Sequence, residues 1–474
     1  MAAEAYAVFQ VVETIVEGAV VGAIAVRKPT VPVHITFHKI PSPSNSLARS
    51  SHSLNIVKGK AYIFGGDLAD GRVDNSVRMI GLPSDLALQD TDYQLIKPTA
   101  APVRPLAAYS DHVDEEGFTD TQITMHSNVE PEPRAAHAST TIDSDVFIIG
   151  GRPPQDETGS TAEPADCGTV HSFSTVTHQW TTLAPQTSKC AQGLPQPRTY
   201  ASCTSTEHPL PGSTQNATTE AHGTIFLHGG YDAQGTLLRD VWTFDVSSRV
   251  WARWPDIPSP GPEDVAFEGS ICCVESRLWR VGDGFGKVMY LDIVRDDADH
   301  GSGKSELGVS PKDGKWRVLS FVETSAEQTQ SDAEKLPSPV VNAGNLPMPR
   351  KGAGYVPIST GAGREYLLYF MGEDGPGSTV KDAWTFQIEA DKSSMAKLKD
   401  KIRNTIGQGT GENLWARAEF VETTKEDGTL PIPQGLSRFA SDAWRDFGGG
   451  EAVFWGGKTA DGEVMNEGWV VTVK

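Results

Sequence analysis

The chain has 474 residues and a formal net charge of −20, with a sequence pI near 5.0. A field that acidic repels polyanions, which sets aside nucleic acid and anionic membrane surfaces as partners. Five cysteines, an odd number without framework spacing, point to reduced thiols and a cytoplasmic setting. Nor does any pair of closely spaced Cys or His motifs match a structural zinc site, so no metal is expected.

Residues 1–32 read as a segment of their own. Val11 to Val26 is apolar and rich in Ala and Gly, broken by Glu13 and Glu17. A secretory signal begins with a basic region, whereas the first basic residue here, Arg27, follows the apolar stretch. The stretch is also short and acidic for a membrane-spanning helix. The expectation is a short helical segment packed on the main fold, with a membrane anchor and disorder as the alternatives.

From residue 33 to the C-terminus the chain repeats. Six apolar runs end in a glycine pair or its near relative: Tyr62–Gly66, Val146–Gly151, Ile225–Gly230, Leu278–Gly284, Leu367–Gly372 and Val453–Gly457. Such a run is a buried strand that must turn sharply, because glycine accepts positive φ without strain. Six copies at long, fairly even spacing are an internal repeat. After several of them comes an aromatic strand, clearest at Asp240-Val-Trp242-Thr-Phe244, Asp382-Ala-Trp384-Thr-Phe386 and Glu467-Gly-Trp469, and weaker at Lys287-Val-Met-Tyr290. A further strand is entered by tryptophan at Trp180, Trp251, Trp316 and Trp415. Ahead of the glycine strands lies another short strand, announced by Pro133-Arg134, Pro197-Arg198 and Pro349-Arg350.

Four short strands per unit, with turns between, make one blade of a β-propeller. The order of glycine pair, aromatic strand and tryptophan-entered strand resembles the kelch repeat. An all-β, six-bladed kelch-type propeller is therefore expected over residues 33–474. The sixth unit ends at Val470–Lys474 without a tryptophan-entered strand. His34-Ile-Thr-Phe-His38 is expected to supply it, closing the ring and removing an open sheet edge. Glycine pairs lie about 50 to 90 residues apart, more than a plain unit needs, so the polar stretches 97–132, 205–222, 296–314, 321–347 and 388–412 read as inserted loops. Within the last, Met395, Leu398 and Ile402 recur at helical spacing among Lys397, Lys399, Lys401 and Arg403, predicting an amphipathic helix lying on the ring.

The residue ahead of each innermost strand forms the most suggestive set: Arg49, Arg134, Arg198, Glu263, Arg350 and Arg438. Equivalent blades would place these six around the mouth of a central channel. The planar donor fork of arginine suits carboxylates, phosphates and carbonyl oxygens. Two uses are open to it, gripping a ligand in a concave site or tying neighbouring blades together through carbonyls and carboxylates. The kelch resemblance implies ligand contact for the five arginines, with Glu263 neutralising the ring or supplying a base. His52 and His137, three residues after their arginines, are candidate general acids or bases, or else order turns. Together with Arg134, Arg350 and Glu263 they are the catalytic candidates. Tyr200, Phe267, Tyr355 and Phe439 would wall the site, while Trp242, Trp384 and Trp469 read as blade core.

Two enzyme-like patterns are set aside. Gly282-Asp-Gly284-Phe-Gly286-Lys287 looks like a phosphate loop, but a strand follows where the cradle needs a helix N-terminus. Asp292, Asp296 and His300 have metal-like spacing within an acidic loop, which is read as coincidence. No cofactor is expected.

Two functions from different classes fit this pattern. One is a protein-interaction scaffold without catalytic activity, gripping a protein or peptide. The other is a small-molecule site at the channel mouth. Thr14-Ile-Val-Glu17-Gly, Lys28-Pro-Thr30 and Arg49-Ser-Ser-His52-Ser resemble the solitary kelch proteins of filamentous fungi, some of which belong to secondary-metabolite pathways. That resemblance implies a cofactor-independent cyclase of the pericyclase type, hetero-Diels–Alder-like, acting on an apolar carbonyl or quinone-methide substrate. One or two arginines would polarise the substrate oxygen. The sequence shows neither a dimerisation domain nor a coiled coil, so the second reading is preferred and a monomer is expected.

Overall fold

The structure is a computed structural model, and it describes residues 30–41, 47–82, 91–97, 130–154, 167–210, 221–261, 266–295, 308–324, 340–342, 346–360, 363–390, 394–407, 409–421, 432–445 and 449–474. The six glycine-ended runs each become the second strand of an antiparallel sheet, and the six sheets follow one another as blades. Blade one runs Ser53–Val57, Lys60–Phe64, Val77–Gly81 and Tyr93–Ile96. Blade two runs Ala138–Ile142, Asp145–Ile149, Val170–Ser174 and Trp180–Leu183. Blade three is Ser202–Thr206, Thr224–His228, Val241–Asp245 and Val250–Trp254. Blade four has Ser270–Val274, Arg277–Val281 and Val288–Arg295, its outer place shared by Val309–Pro311 and Arg317–Leu319. Gly354–Thr360, Arg364–Phe370, Ala383–Gln387 and Trp415–Arg417 make blade five.

Blade six joins the two ends of the described chain. Ala440–Trp444, Glu451–Trp455 and Gly468–Val473 are completed by His34–Ile40, which runs antiparallel with Ile35 opposite Val473 and Ile40 opposite Gly468. This is the closing strand expected from the missing tryptophan-entered strand. Ile35 and Ile40 are fully buried, and burying such a side chain stabilises by about 1.5–3 kcal/mol.

The apolar cores lie between blades. Leu54 and Ile63 of blade one pack with Val453 and Trp455 of blade six, and Phe64 packs with Val146 and Phe173 of blade two. Trp242, Trp384 and Trp469 are buried as expected. The outer-strand tryptophans reach back to the preceding blade: Trp251 Nε1–H donates to the Gly168 carbonyl at 2.7 Å, and Trp415 donates to Gly286 at 2.7 Å. The glycine pairs matter for the same reason. Gly65 has φ +66°, and a Cβ there would come within 2.5 Å of the Arg134 carbonyl oxygen of the next blade. At Gly65 a side chain would not fit against that carbonyl.

The inserted stretches are not all loop. Val309–Pro311 is a strand inside 296–314, Val322–Thr324 pairs in parallel with Val340–Asn342 inside 321–347, and Ser205 and Thr206 end an innermost strand. The predicted helix is present as α1, Met395–Thr405, capped by Ser394, whose side chain accepts the Lys397 N–H at 3.1 Å. Its orientation corrects the amphipathic expectation. Asp400, Arg403 and Ala396 face inward, and the apolar stripe faces out. A buried ion pair wins the inner face: Arg364 holds Asp400 with bonds of 2.6 and 2.9 Å, and Arg403 adds a third of 2.9 Å. The N-terminal segment expected to be helical lies outside the described residues up to Thr30. Among the described residues no helix is long and apolar enough to cross a membrane.

Candidate functional site

Counting back from the innermost strands tests the ring. Arg49, Arg134, Arg198 and Arg350 each stand four residues ahead of their strand. In blade six that place belongs to Leu436, and in blade four to Ala266. Arg438 instead stands two residues ahead, and Glu263 lies outside the described residues. The six candidates are therefore not one equivalent set, which corrects the sequence expectation.

The four equivalent arginines share a buried task. Nη1 donates to the carbonyl at the first glycine place of the same blade: Arg49 to Gly65 at 3.0 Å, Arg134 to Gly150 at 3.2 Å, Arg198 to Gly229 at 3.1 Å and Arg350 to Met371 at 3.1 Å. Nε of Arg134, Arg198 and Arg350 donates to the carbonyl two residues back. Arg198 also grips Asp240 with bonds of 2.7 and 2.8 Å, and Arg350 pairs with Asp382 in the same way. Those aspartates accept the indole N–H of Trp242 and Trp384. Burial pushes Arg49 down to about 10, opposed by Asp74 at 3.3 Å. Each guanidinium ties a glycine turn to its own blade.

Blade four solves the same problem differently. Arg280 comes from the second strand, and its fork binds Asp283, which Arg239 of blade three also holds at 2.7 Å. Arg280 Nε donates to His228 Nε2 at 2.9 Å. A Cβ on Gly269 would meet that guanidinium at 2.5 Å, so a glycine stands there.

The mouth is formed by the residues two ahead of each innermost strand: Ser51, Ala136, Tyr200, Glu268, Gly352 and Arg438. Five of them have φ between 53° and 57°, a left-handed conformation that costs about 1–2 kcal/mol for a non-glycine residue. A ring of backbone hydrogen bonds holds them there. Arg438 N–H donates to Gly352 at 2.9 Å, Ser51 to Arg438 at 2.8 Å, Ala136 to Ser51 at 2.7 Å and Tyr200 to Ala136 at 2.8 Å. At blade four a side chain takes over. The Glu268 carboxylate accepts Gly352 N–H at 3.3 Å and receives the Arg438 fork at 2.6 and 2.7 Å.

Arg438 also lies over the Tyr200 ring, 3.9 Å from its centroid. Burial lowers its proton affinity, but the Glu268 charge and hydrogen bonds more than offset this and raise it above the ordinary value. Burial, with Glu268 nearby, pushes the Tyr231 phenol up to about 12. Arg438, Glu268 and Tyr200 border a cavity of about 170 Å³ that also touches His52, His137, Arg350 and Phe439.

The remaining candidates fall into place around it. His52 and His137 are wedged between blades, where burial and the adjacent arginines depress both imidazoles, His137 to about 3. His137 Nε2 lies 3.0 Å from Ser53 Oγ. Phe439 occupies the same place in blade six and packs its ring at a tilt against Phe370 and Phe454. The Phe267 amide points at Asp283 Oδ1, 3.4 Å away. Tyr355 belongs to a second chamber farther down the channel, about 250 Å³, lined by Asn55, Thr140, Ser205, Cys273 and Asp442. Asp292 is paired with Arg277 and Arg317, and Asp296 and His300 lie outside the described residues. Sequence reading missed Glu268 altogether; its signal was the distance to Ser270, not its neighbours.

No known family profile matches the chain. Kelch domain-containing protein 2 of Bos taurus is 28% identical over 151 residues, a match spanning 31% of this chain and 30% of that protein's length. A solved structure entitled "Structure of YjhT" aligns over 92% of this chain and 99% of its own, at 12% identity and a TM-score of 0.44. The blade topology makes the chain a six-bladed β-propeller, and its repeated motif and the local match make it similar to kelch-repeat propellers.

Proposed function

We propose that the protein is a ligand-binding propeller whose site is the mouth built by Arg438, Glu268 and Tyr200. The observation that carries this reading is the pairing of Arg438 with a carboxylate across the one blade where a side chain replaces a backbone link of the ring. A guanidinium already holding a bidentate carboxylate is preorganised for a ligand carboxylate or carbonyl that displaces Glu268. Tyr200 and Tyr231 offer aromatic faces beside it, and the flanking turns suit either a peptide or a small molecule. The reading takes the protein as a cytoplasmic monomer.

The same pairing favours a second, more specific reading. A fork stacked on an aromatic ring can polarise a carbonyl or quinone-methide oxygen in cofactor-free cyclisation. That role moves from Arg134 and Arg350, whose forks are held by their own blades, to Arg438.

Native mass spectrometry of freshly purified protein tests both. A retained small molecule or peptide that Arg438→Gln releases supports the site, while Arg198→Lys serves as a control away from the mouth. A ligand retained equally by Arg438→Gln overturns it. Turnover of a retained substrate to a cyclised product, lost in Arg438→Gln, separates the enzyme from the scaffold.

A further inference from the structure

Helix α1 docks by charge and turns its apolar stripe outward. Met395, Leu398, Ile402 and Ile406 are 60%, 51%, 45% and 52% exposed. Their spacing puts all four on one helix face, opposite the Asp400–Arg403 seam. A contiguous apolar stripe of this kind marks an interaction surface, unlike apolar residues scattered singly.

The connectivity names what covers it. Thr30, where the described chain starts, is bound at this edge of blade five. Its hydroxyl donates to the Thr410 carbonyl at 2.7 Å, and its own carbonyl accepts the Tyr366 hydroxyl at 2.9 Å. Thr410 follows closely on the helix C-cap Ile406. The 29 residues before Thr30 carry the apolar run Val11–Val26. Residues 27–29 can span up to about 10 Å, and an 11-residue helix such as α1 is about 16 Å long, so the run begins within reach of the stripe. Charge agrees. Glu13 and Glu17 interrupt the run, and Lys399 and Lys401 flank the stripe on a chain that is otherwise strongly acidic.

We propose that Val11–Val26 of the same chain covers the outward face of α1, joining the N-terminal segment to blade five. Two measurements on the full chain test it. In hydrogen exchange, the amides of residues 11–26 are expected to exchange at least about tenfold slower than in the isolated peptide. The double variant Leu398→Glu/Ile402→Glu should return them to peptide rates while Glu451–Trp455 stays protected. Unprotected wild-type amides, or protection unchanged in the variant, would overturn the proposal. Second, the photo-crosslinker p-benzoylphenylalanine at position 402 should form an adduct within one chain to residues 11–26. Adducts joining two chains, or none to that run, would overturn it by assigning the stripe to a second copy or to no part of this segment.

Discussion

Arg438 and Glu268 are 170 residues apart and meet across the channel with two hydrogen bonds of 2.6 and 2.7 Å. They come from blades six and four, which are not neighbours, and blade five between them contributes Gly352, whose amide bonds the same carboxylate. The pair thus holds the gap in the backbone ring.

A double-mutant cycle measures that link. Arg438→Gln and Glu268→Gln each leave one charge facing the cavity and should each cost about 1–2 kcal/mol. The double variant should recover part of this, a coupling of about 1–2 kcal/mol in urea unfolding. Strict additivity would mean that the two side chains act independently.

Arg198 should behave differently from Arg438. Its removal orphans the Gly229 carbonyl and leaves Asp240 without its partner beside Trp242. Arg198→Ala is expected to cost about 3–5 kcal/mol, the range for breaking a buried pair. Arg438→Ala, at the more open mouth, should cost less. Thermal and urea unfolding of the two variants side by side gives the comparison.

Acid should destabilise the ring through its buried histidines. His52, His137 and His228 all have proton affinities depressed by burial and nearby arginines, the last two to about 3. The unfolded chain takes up protons as pH falls below about 6.5, and the folded chain does not, so stability is full above 6.5 and declines toward 3. For His137 the loss between pH 6.5 and 5 is about 2 kcal/mol. His137→Phe, copying Phe439 of blade six, should remove that share of the slope; an unchanged slope would contradict the assignment.

Asp442 should act in the opposite direction. It accepts Ile56 N–H of blade one at 2.8 Å, yet burial pushes its carboxyl up to about 6. A raised carboxyl affinity favours the protonated fold, so this contribution is present below about pH 4 and is lost as pH rises through 6. Because the side chain opens on the channel, the effect is about 1–2 kcal/mol, below the full value for such a shift. Asp442→Asn, compared with wild type by unfolding at pH 4 and pH 7, should be relatively more stable at the higher pH.

Blade count, closing strand and core tryptophans could be read from residue order, because strands and glycine turns are local properties of the backbone. His34–Ile40 was legible because a unit lacked its last strand. The mouth was not legible in the same way. Aligning blades on arginine slipped blade six by two residues, whereas aligning the ring residues His52, His137 and Phe439 would have placed Leu436 opposite Arg49. For α1 the helical period was local, but its facing depended on Arg364, 36 residues from Asp400. Glu268 became a site residue through its contact with a blade two places away. Such contacts follow from how the blades close into a ring, and nothing in the neighbouring residues encodes them.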